Sequence, residues 1–190
     1  MEKAQVTDAK ARKPAKNANG GRNIAAALAT PTDLDAKDVQ AVAEAVNGLV
    51  ADAFVLYLKT KNFHWHVSGP NFRDYHLLLD EQADQIFASI DPLAERVRKL
   101  GAKTLRSFDE VVSKKSIDEN SADFVPPGDM IAELLSDNRA MAESMRKAHK
   151  VCDDADDVAT ASLLEVYIDE TERRTWFLFE TARAADQTGH

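Results

Sequence analysis

The stretch NFHWHVSGPNFRDYHLLLDEQADQIFASIDPLAERVRKLG, residues 62–101, holds three of the chain's five histidines and six carboxylates. Its second part has helical spacing. At about 100° per residue, His76, Asp80, Asp91 and Glu95 fall near 0°, 40°, 60° and 100° on a helical wheel. They share one face, turned about one residue from the apolar stripe. His76/Asp80 and Asp91/Glu95 are each i,i+4 pairs, close enough to touch one small ion. Imidazole combined with several carboxylates suits a hard-to-intermediate divalent ion such as Fe(II), whereas a structural zinc site would favour thiolates. Redox chemistry follows if the coordination sphere stays open.

The two pairs cannot serve one ion within a single chain. Asp80 and Asp91 lie about 16 Å apart along a helix, while ligands must approach to roughly 2 Å. An antiparallel pairing of two such helices about a two-fold axis between Gln85 and Ile86 removes the difficulty. It sets His76 opposite Glu95 and Asp80 opposite Asp91, since the members of each pair are equidistant from the axis. The spacing therefore predicts a homodimer with two identical metal sites, each shared between subunits. Asp84 lies on the same face but would meet Phe87, and is left outside the site. His64 and His66 point about 200° apart on a helix and do not serve one ion together; a turn could bring His64 to His76. A solvated acidic helix face is the competing reading. A ferritin-type site within one bundle would need Glu-x-x-His steps, and no glutamate here has His three residues on.

The elements that must position these residues read as four long helices. The first begins near Asp33 and runs to about Phe63, with Val39, Val42, Val46, Leu49, Val50, Phe54 and Tyr57 on its apolar stripe. Ser68-Gly69-Pro70 breaks the chain. The second carries Phe72, Tyr75, Leu79, Ala83, Ile86, Ile90, Leu93, Val97 and Leu100, and ends at Gly101. A short helix is expected near residues 105–113. Pro126-Pro127 open the third helix, with Ile131, Leu134, Leu135, Met141, Met145, Ala148 and Cys152 inward. The acidic run 153–157 precedes the fourth, which carries Leu163, Leu164, Tyr167 and the cluster 176–179. The pattern predicts an all-α, four-helix bundle whose longest connection is a crossover between the second and third helices.

Charge divides the chain. Its net charge is −8. Residues 1–23 hold Lys3, Lys10, Arg12, Lys13, Lys16 and Arg22 against Glu2 and Asp8, a surplus of four positive charges, so the remaining residues total −12. Residues 1–30 read as a disordered basic tail, 31–185 as the bundle and 186–190 as a short C-terminal tail. The basic tail is either a solvated extension or an arm for nucleic-acid phosphates. No run approaches the roughly 18 uninterrupted apolar residues that span a bilayer, and no secretory signal is recognisable. A single cysteine, Cys152, makes a reducing cytoplasm the simplest compartment.

The run His64-Trp65, Gly69, Phe72, His76, Asp80-Glu81, Asp91, Ala94-Glu95-Arg96 and Leu100-Gly101 resembles the signature of Dps proteins, the DNA-protecting mini-ferritins of starved bacteria. The likeness extends over about residues 33–183, including Trp176. It implies a ferritin-like four-helix bundle with a short extra helix in the crossover, assembled as a hollow dodecamer of two-fold dimers. It also implies two iron sites per dimer at the subunit interface. His64, His76 and Asp80 would come from one subunit and Asp91 and Glu95 from its partner, with Trp65 intercepting stray oxidising equivalents. His66 stands where many members have Asn, and Ser162 replaces an acid often found after the Thr-Ala step. That region lines the family's three-fold pore for iron, for which Asp153, Asp154, Asp156, Asp157, Glu165 and Asp169 are the acidic candidates; they could equally solvate a turn. The implied activity is Fe(II) oxidation, preferably by hydrogen peroxide, with storage of Fe(III). The implied setting is the cytoplasm and nucleoid, with non-specific DNA binding. The alternative is a DNA-compacting protein for which iron is secondary.

Overall fold

Gly69 sets the architecture. Its φ of +102° is one that a residue with a side chain adopts only under strain, and it lets the chain reverse between two long helices. The computed structural model describes residues 24–183, and helices are the only regular elements among them. They are α1 (Ile24–Ala27), α2 (Ala36–His66), α3 (Phe72–Lys99), α4 (Phe108–Lys114), α5 (Pro127–Asp154) and α6 (Val158–Ala182). Helices α2 and α3 pack along each other as one hairpin, and α5 and α6 as another. The hairpins join through α2 on α5 and α3 on α6, and α4 lies on α2. This is a four-helix bundle with an extra short helix in its crossover.

The core is where the 3.6-residue period puts it. Val42, Val46, Leu49, Leu56 and Phe63 of α2 meet Leu79, Ile86, Leu93 and Val97 of α3; Met130, Leu134, Met141 and Met145 of α5 meet Leu164 and Leu178 of α6. By length and composition α2 could span a bilayer, but 61% of its most apolar 18-residue window is buried inside the bundle. Polar staples fix the crossover. Asp52, 3% exposed, accepts hydrogen bonds from Ser116 N (2.5 Å), Ser116 Oγ (2.7 Å) and Ile117 N (3.0 Å). Lys59, 4% exposed, reaches Glu133 at 2.9 Å and Asp137 at 2.8 Å, tying α2 to α5.

Two details differ from the sequence reading. Helix α2 starts at Ala36 and continues through His66, so His64 and Trp65 lie in its last turn. Part of the stretch assigned to the tail is ordered: Thr30 Oγ1 donates to Arg98 O at 3.0 Å, and Arg98 Nη2 donates to Leu28 O at 2.8 Å. Gly101 (φ +81°) is the second required glycine, because a Cβ there would come within 2.6 Å of Thr30 O. Residues 28–30 therefore belong to the folded body. The basic side chains Lys3, Lys10, Arg12, Lys13, Lys16 and Arg22 lie outside the described residues.

Candidate metal centre

The turn after His66 folds α3 back so that its first turn meets the last turn of α2. His64 Nδ1 donates to His76 O at 2.8 Å, and His76 Nδ1 donates to His64 O at 2.9 Å. A carbonyl can only accept, so both Nδ1 atoms carry the proton. In the neutral form each ring presents a bare Nε2, the form a metal needs. The rings stack at 3.8 Å and 21°, and Phe72 stacks on His76 at 5.0 Å. Both imidazoles are thus held in tautomer and in direction.

Asp80 lies beside this pair. Its Oδ1 lies 3.7 Å from His64 Nε2, a gap that an ion with ligands at roughly 2.0–2.2 Å can bridge. The same oxygen accepts from Lys61 Nζ at 2.5 Å. That bond holds the Asp80 carboxyl below the usual carboxylate range and raises the Lys61 ammonium above the usual lysine range. Lys61 escaped the sequence reading although a signal existed: it precedes His64 by three residues, so the two share a helix face.

Asp91 and Glu95 are exposed on α3, and Glu95 pairs only with Lys99, at 3.3 Å among the described contacts. They do not reach His76 or Asp80 in the same chain. Among the described residues no three His, Cys, Asp or Glu side chains converge to hold an ion. Within one chain, His76 with Asp80 and Asp91 with Glu95 are therefore two separate pairs along α3. The middle of the bundle holds a different polar cluster. Its inward polar groups include Gln82, Asn138, Thr171 and Arg174, and the buried Arg174 guanidinium, lowered to about 10 by desolvation, donates to Asn138 and Thr171. A buried cation bound to neutral polar partners occupies this part of the bundle.

A family model described as the ferritin-like domain matches residues 43–186. The DNA protection during starvation protein of Brevibacillus brevis is 34% identical over 139 residues, 73% of this chain and 93% of its own length. This chain belongs to the Dps family. The crystal structure of a Dps protein from Bacillus brevis has a TM-score of 0.75 and 31% identity, covering 79% of this chain and 100% of that one. The Vibrio cholerae Dps protein, described as a member of a broad superfamily of ferritin-like diiron-carboxylate proteins, has a TM-score of 0.76 and 28% identity, covering 82% and 98%.

The other candidate residues of this Dps-family chain take varied positions. Trp65 is 61% exposed and lines a groove of about 460 Å³ with Leu58, Phe108 and Val112. His66 is exposed, and its Nδ1 donates to Asn62 O at 2.7 Å, one turn back along α2. Among the pore candidates, Asp157 is buried at 3%. Its carboxylate caps α6 through Thr160 N and binds Arg96 at 2.7 Å; its charge is committed to the fold rather than open to an ion. Asp153, Asp154, Asp156, Glu165 and Asp169 are exposed. Asp154 pairs with Lys150 at 3.0 Å, and His149 links Asp153 at 3.1 Å to Glu165 at 3.3 Å. Asp156 takes a φ of +54°, which Asp tolerates better than most residues.

Proposed function

We propose that this Dps-family protein oxidises Fe(II) at centres shared across a two-fold subunit interface and stores the Fe(III) inside a hollow dodecamer. His64, His76 and Asp80 of one subunit face Asp91 and Glu95 of its partner. The observation that carries this reading is the reciprocal Nδ1-to-carbonyl lock of His64 and His76, which leaves the Nε2 atoms of both rings for a metal, that of His64 3.7 Å from Asp80 Oδ1. The α3 face supports the pairing. Phe87 (56% exposed) and Leu77 (50%) alternate with the acids there, giving a second copy apolar surface to cover around the charged half-sites.

Iron is the substrate. Anionic oxygen ligands stabilise Fe(III) more than Fe(II), which lowers the potential and favours oxidation. Hydrogen peroxide is the preferred oxidant. Two Fe(II) ions each lose one electron to one hydrogen peroxide, whose O–O bond cleaves to two hydroxide-level oxygens; these and the oxygens of two waters make two ferric oxyhydroxide units, and four protons depart. Because the two electrons arrive together, no hydroxyl radical is released. Trp65 stands next to His64 to intercept stray oxidising equivalents. Exposed acids of the α5–α6 region, Asp153, Asp154, Asp156, Glu165 and Asp169, would raise the local cation concentration at a three-fold pore.

In the cytoplasm the assembly associates with the nucleoid through its basic tails. A single tail with four surplus positive charges binds weakly, but about twelve linked tails multiply the contacts. That tail also favours a second reading, a DNA-compacting protein for which iron is secondary. The deciding experiment loads the protein with Fe(II) anaerobically, adds peroxide and follows ferric absorbance in the native chain and in an Asp91→Ala/Glu95→Ala variant. Fast oxidation that collapses in the variant is expected. Equal rates would reduce the α3 stripe to an interface and make DNA compaction the leading function.

A further inference from the structure

Lys61 has two carboxylates within reach. Its Nζ sits 2.5 Å from Asp80 Oδ1 and 3.7 Å from Asp84 Oδ1. The two acids are one turn apart on α3 and face the same way, while Lys61 reaches across from α2. The Asp80 oxygen bonded to Lys61 is also the one nearest His64 Nε2. An ion between His64 and Asp80 and an ammonium on Asp80 would then be two cations on one oxygen. Asp84 is 77% exposed at its side chain and Lys61 only 15%, so a move to Asp84 carries the ammonium from a covered position toward solvent while keeping a carboxylate partner.

We propose that Lys61 and Asp84 form a two-position relay that serves the iron centre. With no metal, Lys61 neutralises Asp80 and holds it beside the histidines. As Fe(II) binds, the lysine stem rotates and the ammonium transfers from Asp80 to Asp84. Asp84 is thus a positioning residue: it touches no iron, yet it provides the acceptor that makes vacating Asp80 inexpensive. Lysine suits the task, having a point charge on a flexible stem, where the rigid planar fork of arginine would not. This inference rests on the reading of His64, His76 and Asp80 as one half of an iron site.

The test is anaerobic Fe(II) titration calorimetry on the full-length assembly, in the native protein, Lys61→Gln, Asp84→Asn and the double variant. Removing the competing ammonium is expected to tighten Fe(II) binding on the order of tenfold. Asp84→Asn is expected to weaken it several-fold. In the Lys61→Gln background the same Asp84→Asn change should have almost no effect, because no lysine remains to be received. If Asp84→Asn weakens binding equally in both backgrounds, Asp84 acts on iron directly and the relay is wrong. If Lys61→Gln leaves the affinity unchanged, the relay is likewise wrong. A His64→Ala/His76→Ala control separates the two levels: native-like binding there would overturn the iron site itself. Lys61→Met, checked by thermal melting, replaces Lys61→Gln should the latter fold poorly.

Discussion

A centre shared between subunits makes a quantitative prediction that no single-chain site can imitate. Take two variants, His64→Ala/His76→Ala and Asp91→Ala/Glu95→Ala, each of which spoils both centres of its own homodimer. In a mixed dimer the losses segregate. One centre combines both damaged halves, while the other combines the intact histidine half of one chain with the intact carboxylates of its partner. Random pairing of equal amounts makes half of the dimers mixed, so about a quarter of all centres should be whole. With the axis between Gln85 and Ile86, each centre lies about 11 Å from it and the two about 22 Å apart. That is too far to share ions, so the intact centre should work regardless of its dead neighbour.

The assay is peroxide-driven Fe(II) oxidation after co-expression of the two chains with different tags, set against each variant alone. Losing two ligands should lower the rate of each homodimer by more than about 100-fold, because changes even in groups that merely orient the ligands cost 10–100-fold. Recovery to about a quarter of the native rate would then stand well clear of background. A mixed sample no faster than the mean of its parents, with assembly intact by light scattering, would refute the shared centre.

Other outcomes follow from single residues. Lys59→Met leaves Asp137 and Glu133 facing each other without a cation; because Glu133 is about one-third exposed, the loss should be about 2–3 kcal/mol, or about 5–10 °C in the melting temperature at fixed chain concentration. Lys59→Met/Asp137→Leu should regain most of that loss. Burial alone would lower the Lys59 pKa, but Asp137 and Glu133 raise it above 10.5. A raised lysine contributes stability fully present below its unfolded value and lost as pH rises through the folded one, so the native protein should lose stability above about pH 10.5 more steeply than Lys59→Met does. Burial, with Asp157 and Asp153 close by, pushes the Cys152 thiol up to about 12; a thiol reagent at pH 8 should therefore modify it only after denaturant is added. Deletion of residues 1–23 should abolish a DNA gel shift while sparing iron oxidation, and unchanged DNA binding would remove the tail from the account.

The long helices were legible because their apolar residues recur every three or four positions over many turns, and such a signal survives local ambiguity. Their ends were less so. Asp33 and Asp35 are both acceptable starts, and α2 begins after the second. The candidate ligand stripe was legible in part for the same reason: His76, Asp80, Asp91 and Glu95 share one helix, and their angular order is arithmetic. What the sequence hid are contacts between elements. Nothing in the acidic run 153–157 marks Asp157 as the one carboxylate that turns inward to Arg96 and the α6 cap. Nothing marks Leu28 and Thr30 as seated against the end of α3, because the backbone carbonyls of residues 28 and 98 carry their bonds and a carbonyl has no letter of its own.

The same distinction explains why the turn between α2 and α3 matters more than its length suggests. His64 lies in the last turn of α2, where carbonyls lack helical partners, and His76 supplies the missing donor. An end defect common to every helix becomes the group that fixes an imidazole's tautomer. The arrangement works only because residues 67–71 return the chain at the height where each ring meets the other's carbonyl. One residue added to that turn would rotate α3 by about 100° and carry it about 1.5 Å along its axis. His76 and Asp80 would then turn away from His64, and the same rotation would carry Leu79, Ile86 and Leu93 out of the core. The five-residue turn is therefore held by the packing of α3 as well as by the His64–His76 contact.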